Sequence, residues 1–335
     1  MISRSKTAFV TGGTGFLGYE LIRQLLENDH RVVALSRNGV LPGDLPENNL
    51  EIVRGDLDDV AALEEAMRGT SVVYHVAANV QMWTKKWAES ELANVIGTRN
   101  MLAAAKKAAV DRFVFTSTAA TIGKPYPPPK NAVTVDETSI YNFASLRMVY
   151  PHTKWLAEQE VAKAVNEGLH AVITHPTAVF GPGDWKANVL PLFLATRTLT
   201  GFAASNGIRT TCDVRDVATA HIAAAAKAPA GRHYILGGEI LSVRELLSRI
   251  AHAAGGRAPR ITLPDWVILG LARTMETKAS LSGQPPKLSY EMALQSTFRA
   301  GLSSQRAADE LGYASRPLDR SLADMASFYR EQGWL

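Results

Sequence analysis

The sequence is poor in cysteine. Cys212 is the only cysteine among 335 residues, so neither an intramolecular disulfide nor a multi-cysteine metal site can form. It follows two threonines in a predicted strand, and nothing there supports a reactive thiol. Because a near absence of cysteine fits a reducing compartment, we expect a cytoplasmic location.

Long hydrophobic runs are also missing. The most apolar segment, residues 266–272, is far shorter than the ~20 residues that a membrane-spanning helix needs. We therefore expect no membrane span and interpret this segment as a buried helix. The segment before Gly12 predicts a buried strand and turn rather than a signal peptide.

Neither sign of charge dominates. The chain has 36 Lys and Arg against 32 Asp and Glu, a formal net charge of +4, and the cations are scattered along it. A nucleic-acid partner is therefore not expected. Because no histidine has carboxylate partners at ligand spacing in the sequence, no metal is predicted either.

The first half alternates short β-type runs with helical patterns, which is typical of a parallel sheet built from βαβ units. Strands are predicted at residues 8–10, 31–35, 50–54, 71–76, 112–116 and 171–174. Helices are predicted from the glycines to about residue 28 and at residues 60–67, 94–108, 150–166 and 217–226. Because the strands are continuously apolar, helices should cover both sheet faces. The predicted fold class is α/β, a doubly wound parallel sheet (Rossmann fold).

Two regions depart from this alternation. Residues 124–148 contain four prolines and predict a long irregular binding loop. The chain after Gly238 predicts a smaller, mostly helical C-terminal substrate lobe. The predicted division is a cofactor-binding core with the catalytic helix at 1–170, and the remaining strands interleaved with the smaller lobe at 171–335. Asp216 is predicted to cap the helix at 217–226.

Three glycines, Gly12, Gly15 and Gly18, lie between the first strand and the first helix. Such a turn lets a ligand approach the backbone closely, and the N–H groups at the helix start attract a pyrophosphate. The turn as a whole, including Thr14, Phe16 and Leu17, is a predicted dinucleotide site.

The end of the second strand indicates which dinucleotide binds. An NAD site places a carboxylate there, whereas this strand ends in Ser36 and Arg37. An arginine offers charge-assisted hydrogen bonds to a 2′-phosphate, so NADP (as NADPH) is the predicted cofactor.

Tyr150 and Lys154 form the second motif. A spacing of four places the phenol and the ammonium on one helix face. The cation should lower the pKa of the phenol from its usual ~10 and suit it to proton transfer. Pro151 indicates that the helix begins here.

Taken together, the motifs resemble those of the extended short-chain dehydrogenase/reductases. The matching segments, in chain order, are residues 11–18, 55–57, 75–78, 94–98, 116–118, 150–154 and 175–183. Within that superfamily they are most similar to the branch of dihydroflavonol reductases, 3β-hydroxysteroid dehydrogenases and bacterial 3-oxo-acyl reductases.

The resemblance implies roles for further residues. Thr118 would be the catalytic hydroxyl, with Ser117 a weaker candidate, and Asn94 a structural or proton-relay residue. Asp56 and Leu57 would contact the adenine. The residues implied along the pyrophosphate, ribose and nicotinamide are Ala77, Ala78, Ser117, Pro176, Thr177 and Val179.

These roles predict hydride transfer to a ketone, with Tyr150 as proton donor. The substrate is predicted to be a small apolar carbonyl or alcohol compound because the candidate pocket segments are aromatic and offer few paired cations. The candidate substrate contacts are Trp83, Tyr141, Phe180, Trp185 and Phe193. Two alternatives stay open, a sugar-nucleotide epimerase or dehydratase and a non-catalytic NADP sensor. The resemblance also implies a possible homodimer.

Overall fold

A computed structural model describes residues 7–198 and 203–335. The strands are β1 (Thr7–Thr11), β2 (Arg31–Ser36), β3 (Leu50–Arg54), β4 (Val72–His75), β5 (Arg112–Thr116), β6 (Val133–Val135), β7 (Ala171–Pro176), β8 (Ala178–Phe180), β9 (Ala203–Ala204), β10 (Ile208–Asp213), β11 (His233–Leu236), β12 (Ile240–Ser242), β13 (Ile261–Thr262) and β14 (Ala300–Leu302). The helices are α1 (Phe16–Glu27), α2 (Val60–Ala66), α3 (Trp87–Glu91), α4 (Gly97–Lys107), α5 (Val149–Asn166), α6 (Leu190–Thr196), α7 (Val214–Lys227), α8 (Val243–Ala254), α9 (Asp265–Ser282), α10 (Tyr290–Thr297), α11 (Gln305–Leu311) and α12 (Leu318–Glu331).

The centre of the molecule is a seven-stranded sheet in the order β11-β7-β5-β4-β1-β2-β3, and all its pairings are parallel. Helices α2, α4 and α5 pack on one face, where Phe9 of β1 is buried. Helices α1 and α7 pack on the other face, against Ala8 and Val10. Successive residues of one strand therefore enter opposite cores. The predicted doubly wound α/β fold is confirmed.

A smaller lobe follows the sheet. Helices α6, α8 and α12 enclose an apolar cluster with β8 and β12, and β8, β10 and β12 form a three-stranded sheet. The region after Gly238 is mostly helical, as predicted. Residues 133–135, inside the predicted loop, form β6, which pairs with β14.

The start of α7 corrects one prediction. The helix begins at Val214, and its N-cap is Asp213, whose carboxylate accepts from the Arg215 N–H at 2.8 Å. Asp216 lies in the first turn and instead pairs with the Arg316 guanidinium at 2.6 Å. The sequence prediction was three residues late because both aspartates precede apolar helical residues.

The apolar segment 266–272 corrects a second prediction, that of a buried helix. It lies in α9, as a helix, but Trp266 is 76% exposed and Leu271 45% exposed, whereas only Ile268 and Ala272 are buried. The helix is amphipathic rather than buried. Within the described residues, no helix is both long and apolar enough to cross a membrane.

Candidate active site

A cavity of about 560 Å³ opens at the carboxyl ends of the sheet strands. It lies where the strand order reverses between β1 and β4, the usual ligand site of an open α/β sheet. Its lining includes predicted cofactor and catalytic residues, namely Gly12, Thr14, Gly15, Phe16, Leu17, Gly18, Ser36, Arg37, Asp56, Leu57, Ala77, Ala78, Ser117, Thr118, Tyr150, Pro176, Thr177 and Val179. Residues far apart in sequence therefore meet in one elongated cavity.

The glycine turn closely fits the backbone around it. Gly12 has φ +79°, and a Cβ added there would lie 2.7 Å from the Ala77 nitrogen. A Cβ on Gly18 would lie 2.2 Å from the Gly12 carbonyl oxygen. A side chain at either position would displace the backbone of the turn at the start of α1, where N–H groups can hold a pyrophosphate.

Two cations lie close to each other in the lining of the cavity. Arg37 and Lys186 both line it, and neither pairs with a carboxylate among residues 7–198 and 203–335. Burial, and then the charge of Arg37, lower the pKa of Lys186. The Ser36 hydroxyl is buried and donates to the Val40 carbonyl at 2.7 Å, so it is turned toward backbone. Sequence reasoning missed Lys186 as a partner of Arg37 because the two are separated by about half the chain.

Asp56 follows β3 and also lines the cavity. Its carboxylate accepts from the Leu57 N–H at 2.7 Å, which fixes the orientation of the side chain. Both residues line the cavity at the end where an adenosine would lie if the pyrophosphate binds at the glycine turn.

Tyr150 lies in the first turn of α5, at the opposite end of the cavity from Arg37. Burial raises the pKa of Tyr150 to about 12, a hydrogen bond with Thr118 opposes that rise, and the carboxylate of Glu291 adds to it. The prediction that Lys154 lowers this pKa is therefore wrong for this structure, because removal of the phenol from water dominates. A phenol in this state is protonated at neutral pH and can donate a proton.

Lys154 is one turn further along α5 and is 1% exposed. Its ammonium lies 4.1 Å from the centroid of the Phe115 ring and has no hydrogen-bond partner among the described residues. Burial lowers the pKa of Lys154 to about 7, partly offset by the charge of Glu158. A buried amine without a partner is costly, so a ligand hydroxyl within its reach would be held firmly. This unpaired amine fits the ribose of a nicotinamide cofactor.

Asn94 lies behind the cavity wall, in a π-helical segment at residues 92–96. Its side-chain oxygen accepts from the Asn79 N–H at 2.7 Å, and its amide group donates to the Asn79 carbonyl and the Thr153 hydroxyl. Asn94 therefore connects the cavity-lining loop after β4 to α5.

Glu291 is a buried carboxylate that the sequence did not indicate. It reaches from α10 of the smaller lobe to the start of α5 and accepts from the N–H groups of Val149 and Tyr150, at 2.5 and 3.3 Å. Burial raises the pKa of Glu291 to about 8, and those two hydrogen bonds oppose the rise. Nothing in the local sequence could reveal this contact, since the partners are more than 140 residues apart.

The predicted substrate residues lie in packed clusters, and none of them lines this cavity. Phe180 and Phe193 are 2% and 0% exposed in the core of the smaller lobe, so as packed they cannot contact a substrate. Trp185 packs edge-on against Tyr19 of α1, whereas Trp83 is buried. The last candidate, Tyr141, stacks on Trp155 with ring centroids 5.2 Å apart. The side chains of these five residues contribute mainly to packing.

Lys124 and Arg209 form a second pair of cations, although the sequence suggested few paired cations. Lys124 donates to the carbonyls of Ala119 and Ile122, and burial followed by the charge of Arg209 lowers its pKa to about 7. Neither cation pairs with a carboxylate in the described parts of the chain. The interior behind residues 119–122 therefore contains cationic side chains that the scattered sequence positions did not suggest.

Comparison with known proteins assigns the chain to a family. The model of the NAD dependent epimerase/dehydratase family matches residues 8–237. The chain belongs to this family. Family members form part of the extended short-chain dehydrogenase/reductase superfamily, as the motifs predicted, and the family's cofactor is a nicotinamide dinucleotide.

Individual relatives extend over almost the whole chain. A Synechocystis sp. protein named as a dihydroflavonol 4-reductase is 32% identical, over 100% of this chain and 97% of its own. A Stigmatella aurantiaca ketoreductase, named for a farnesyl-dihydroquinoline-oxide substrate, is 31% identical over 92% of each chain. The solved structure of gox2253 has a TM-score of 0.84 at 30% identity and covers 98% of this chain and 99% of that one. These similarities support an oxidoreductase of the short-chain dehydrogenase type.

Proposed function

We propose that the protein is an NADPH-dependent reductase that adds hydride to the ketone of a largely apolar small molecule. One observation carries the proposal. The cavity has a phenol, a hydroxyl and a nearby unpaired amine (Tyr150, Thr118 and Lys154) at one end and the cations Arg37 and Lys186 at the other. The phenol, the hydroxyl and the amine suit carbonyl reduction, and the two cations suit the binding of a 2′-phosphate.

The mechanism assigns one task to each residue at the catalytic end. A bound reduced nicotinamide supplies the hydride. Tyr150 donates its proton to the oxygen as negative charge develops there, and the Thr118 hydroxyl donates a hydrogen bond to the same oxygen. Lys154, whose amine has no hydrogen-bond partner among the described residues, would hold the ribose hydroxyls of that cofactor. Tyr150 begins protonated, as a donor must, while the raised pKa makes the phenol a weaker acid than a free tyrosine.

The substrate class rests on the relatives and on the lining near Tyr150. Two relatives are named as reductases of ketones that carry apolar groups, a farnesyl-dihydroquinoline oxide and 2-alkyl-3-oxoalkanoates. Val76 and Ala93 line the cavity together with Tyr150. Burial of apolar ligand surface yields ~25 cal/mol per Å², which supports micromolar binding without an ion pair.

A second candidate is a sugar-nucleotide epimerase or dehydratase. The family to which the chain belongs favours it, since its model is that of NAD dependent epimerases and dehydratases. The buried cations Lys124 and Arg209 do not line the cavity and add no support for a diphosphate there. Against dehydration, Ala119 and Ala120 follow Thr118 where that chemistry would place carboxylates. The third candidate, a sensor without catalysis, does not explain why the phenol and the amine are both present.

Cofactor titration tests the proposal without knowledge of the substrate. NADPH should bind more tightly than NADH, and Arg37→Ala should weaken NADPH binding about ten- to a hundredfold, since a charge-assisted hydrogen bond contributes ~1.5–3 kcal/mol. Lys186→Ala should weaken it in the same direction, while NADH binding changes little in either variant. Arg320→Ala, which removes an exposed cation from α12, is the matched control. Equal affinity for both cofactors in the unmodified protein would contradict the NADPH assignment.

A further inference from the structure

A chain of hydrogen-bonded side chains leads away from the cavity beneath α5. It begins at Ser117, which lines the cavity and donates its hydroxyl to Glu158. The Thr121 hydroxyl lies 2.7 Å from the same Glu158 oxygen. Glu158 follows Lys154 by one helical turn and is 6% exposed. Its carboxyl group is therefore buried behind Ser117, which lines the cavity.

Two histidines continue the chain to the edge of the sheet. His175 Nδ1 lies 3.2 Å from the Thr121 hydroxyl and 3.6 Å from the Glu158 carboxylate. His175 Nε2 lies 2.9 Å from His233 Nδ1, with the two rings only 18° from parallel. His175 is buried on β7, whereas His233 is half-buried on the edge strand β11.

The carbonyl of Thr118 fixes the direction of these bonds. This oxygen lies 3.2 Å from His175 Nδ1 and can only accept, so Nδ1 carries the proton and His175 Nε2 is an acceptor. His233 must then donate from Nδ1, which leaves its Nε2 able to accept a proton. Burial lowers the pKa of both histidines to about 4, so each is neutral at pH 7 and has one donor and one acceptor nitrogen.

The outer end of the chain lies beside a second cavity. This cavity, of about 270 Å³, is lined by the carboxylates Asp136, Glu137, Asp309 and Glu310 and by Arg232, which pairs with Glu310. Arg306 also lines it and donates to the backbone carbonyl of His233 at 3.1 Å. Hydrogen bonds from Arg232 and Tyr234 lower the pKa of Glu310 to about 2, and one from Thr138 lowers the pKa of Asp136. Water in this cavity, rather than these carboxylates, is therefore the proton source near His233.

We propose that Ser117, Glu158, Thr121, His175 and His233 form a proton relay that reprotonates Tyr150 from the 270 Å³ cavity. The proposal rests on the proposed reductase function, in which each turnover adds one hydride and one proton to the carbonyl. A proton enters at His233 Nε2 as His233 Nδ1 releases one to His175 Nε2. His175 Nδ1 releases its own to Glu158, directly or through Thr121. The Ser117 hydroxyl then turns away from Glu158, accepts the proton of the Glu158 carboxyl group on its oxygen and releases its own proton to water in the active-site cavity. The Tyr150 phenolate recovers its proton from that water.

The alternative interpretation of Glu158, His175 and His233 is a metal site. The ligand atoms of Glu158, His175 and His233 all lie within 4.8 Å of one another. However, the two imidazoles are directed at each other through a short nitrogen–nitrogen contact, whereas metal ligands direct their lone pairs at a shared point. The geometry therefore favours a hydrogen bond between the histidines.

Nitrogen NMR of the ¹⁵N-histidine-labelled protein tests the relay without any turnover. The relay predicts that both His175 and His233 are neutral and protonated on Nδ1 at pH 7. Spectra of the variants His175→Asn and His233→Asn assign the signals. His175 protonated on Nε2, or signals of both rings that shift on addition of Zn²⁺, would contradict the relay.

Kinetics test the same residues in catalysis. His233→Asn keeps a donor nitrogen near the position of Nδ1 but cannot pass a proton on. It should lower kcat with an accepted ketone roughly tenfold or more and increase the solvent deuterium isotope effect, while NADPH affinity stays unchanged. Added imidazole should restore part of the lost rate. His170→Asn, a half-buried histidine at the other end of β7, is the control and should keep full activity.

The outcomes separate the relay from the function on which it depends. If the unmodified protein reduces no ketone, the proposed function fails, and the NMR spectra still decide whether the hydrogen-bonded chain exists as described. If the unmodified protein reduces a ketone while both histidine variants keep its kcat and isotope effect, the relay is wrong. Loss of NADPH affinity in parallel with kcat would likewise contradict it, since that result indicates structural damage.

Discussion

At the residue scale, the catalytic end depends on keeping ionisable groups away from water. Burial holds the phenol of Tyr150 in its protonated form and leaves the amine of Lys154 with a pKa of about 7. The sequence spacing predicted the pairing of the two residues on one helix face, but not these protonation states. A pKa depends on burial by segments that are distant in the chain, and no local pattern records it.

The Tyr150→Phe variant tests the phenol directly. It removes the proton donor and little else, so kcat should fall by about 10²–10⁴-fold, the range that general acid catalysis contributes. NADPH binding, measured by fluorescence titration, should persist. Tyr74→Phe removes a hydroxyl from the sheet core and is the matched control. Near-normal kcat in Tyr150→Phe would show that another group supplies the proton.

At the element scale, the N-terminus of α5 is held by the smaller lobe through Glu291. The pKa of this carboxyl group is raised in the folded protein from 4.5 to about 8. The protonated form therefore stabilises the fold below the unfolded-state pKa, and this stabilisation is lost as pH rises through about 8. The free energy of unfolding should fall by a few kcal/mol at most over this pH range.

Thermal unfolding from pH 5 to pH 9 tests this anchor. The unmodified protein should lose melting temperature across that range relative to Glu291→Gln, which keeps an oxygen acceptor for α5 but does not ionise. Glu331→Gln, at an exposed carboxylate at the end of α12, is a control on the same lobe. Parallel pH profiles for the unmodified protein and Glu291→Gln would show that Glu291 does not ionise as the structure indicates.

Element boundaries show where local patterns are sufficient and where they are not. The glycine turn and the strands of the first half are set by nearby residues, and their prediction was correct. The cap of α7 was misplaced because Asp213 and Asp216 both suit a helix start, and only the contact of Asp216 with Arg316 distinguishes them. Phe193 was assigned to a pocket because an aromatic residue in a core and one in a cavity wall have the same sequence pattern.

At the scale of the whole molecule, the cavity joins parts of the chain that fold onto one sheet edge. Arg37 follows β2, while Lys186 comes from the loop between β8 and α6. A ligand that contacts both stabilises the folded state in proportion to its affinity, by ~2.7 kcal/mol at a hundredfold excess over Kd.

Differential scanning fluorimetry measures this coupling. At equal concentrations, NADPH should raise the melting temperature more than NADH, and the difference should shrink in Arg37→Ala and Lys186→Ala. Arg320→Ala should keep the full difference. Equal shifts by the two cofactors, in the unmodified protein and in the variants alike, would contradict a 2′-phosphate site at these cations.

The central claim is net hydride transfer to a ketone, and tracing the hydride tests it most directly. NADPH deuterated at the transferring C4 position is incubated with the protein and a panel of apolar ketones, with UDP- and dTDP-sugars in parallel reactions, and products are analysed by mass spectrometry. Net hydride transfer predicts stoichiometric NADPH oxidation and one deuterium at the carbinol carbon of a released alcohol. Conversion of a sugar nucleotide without net NADPH oxidation, together with no deuterated alcohol from any ketone, would contradict it.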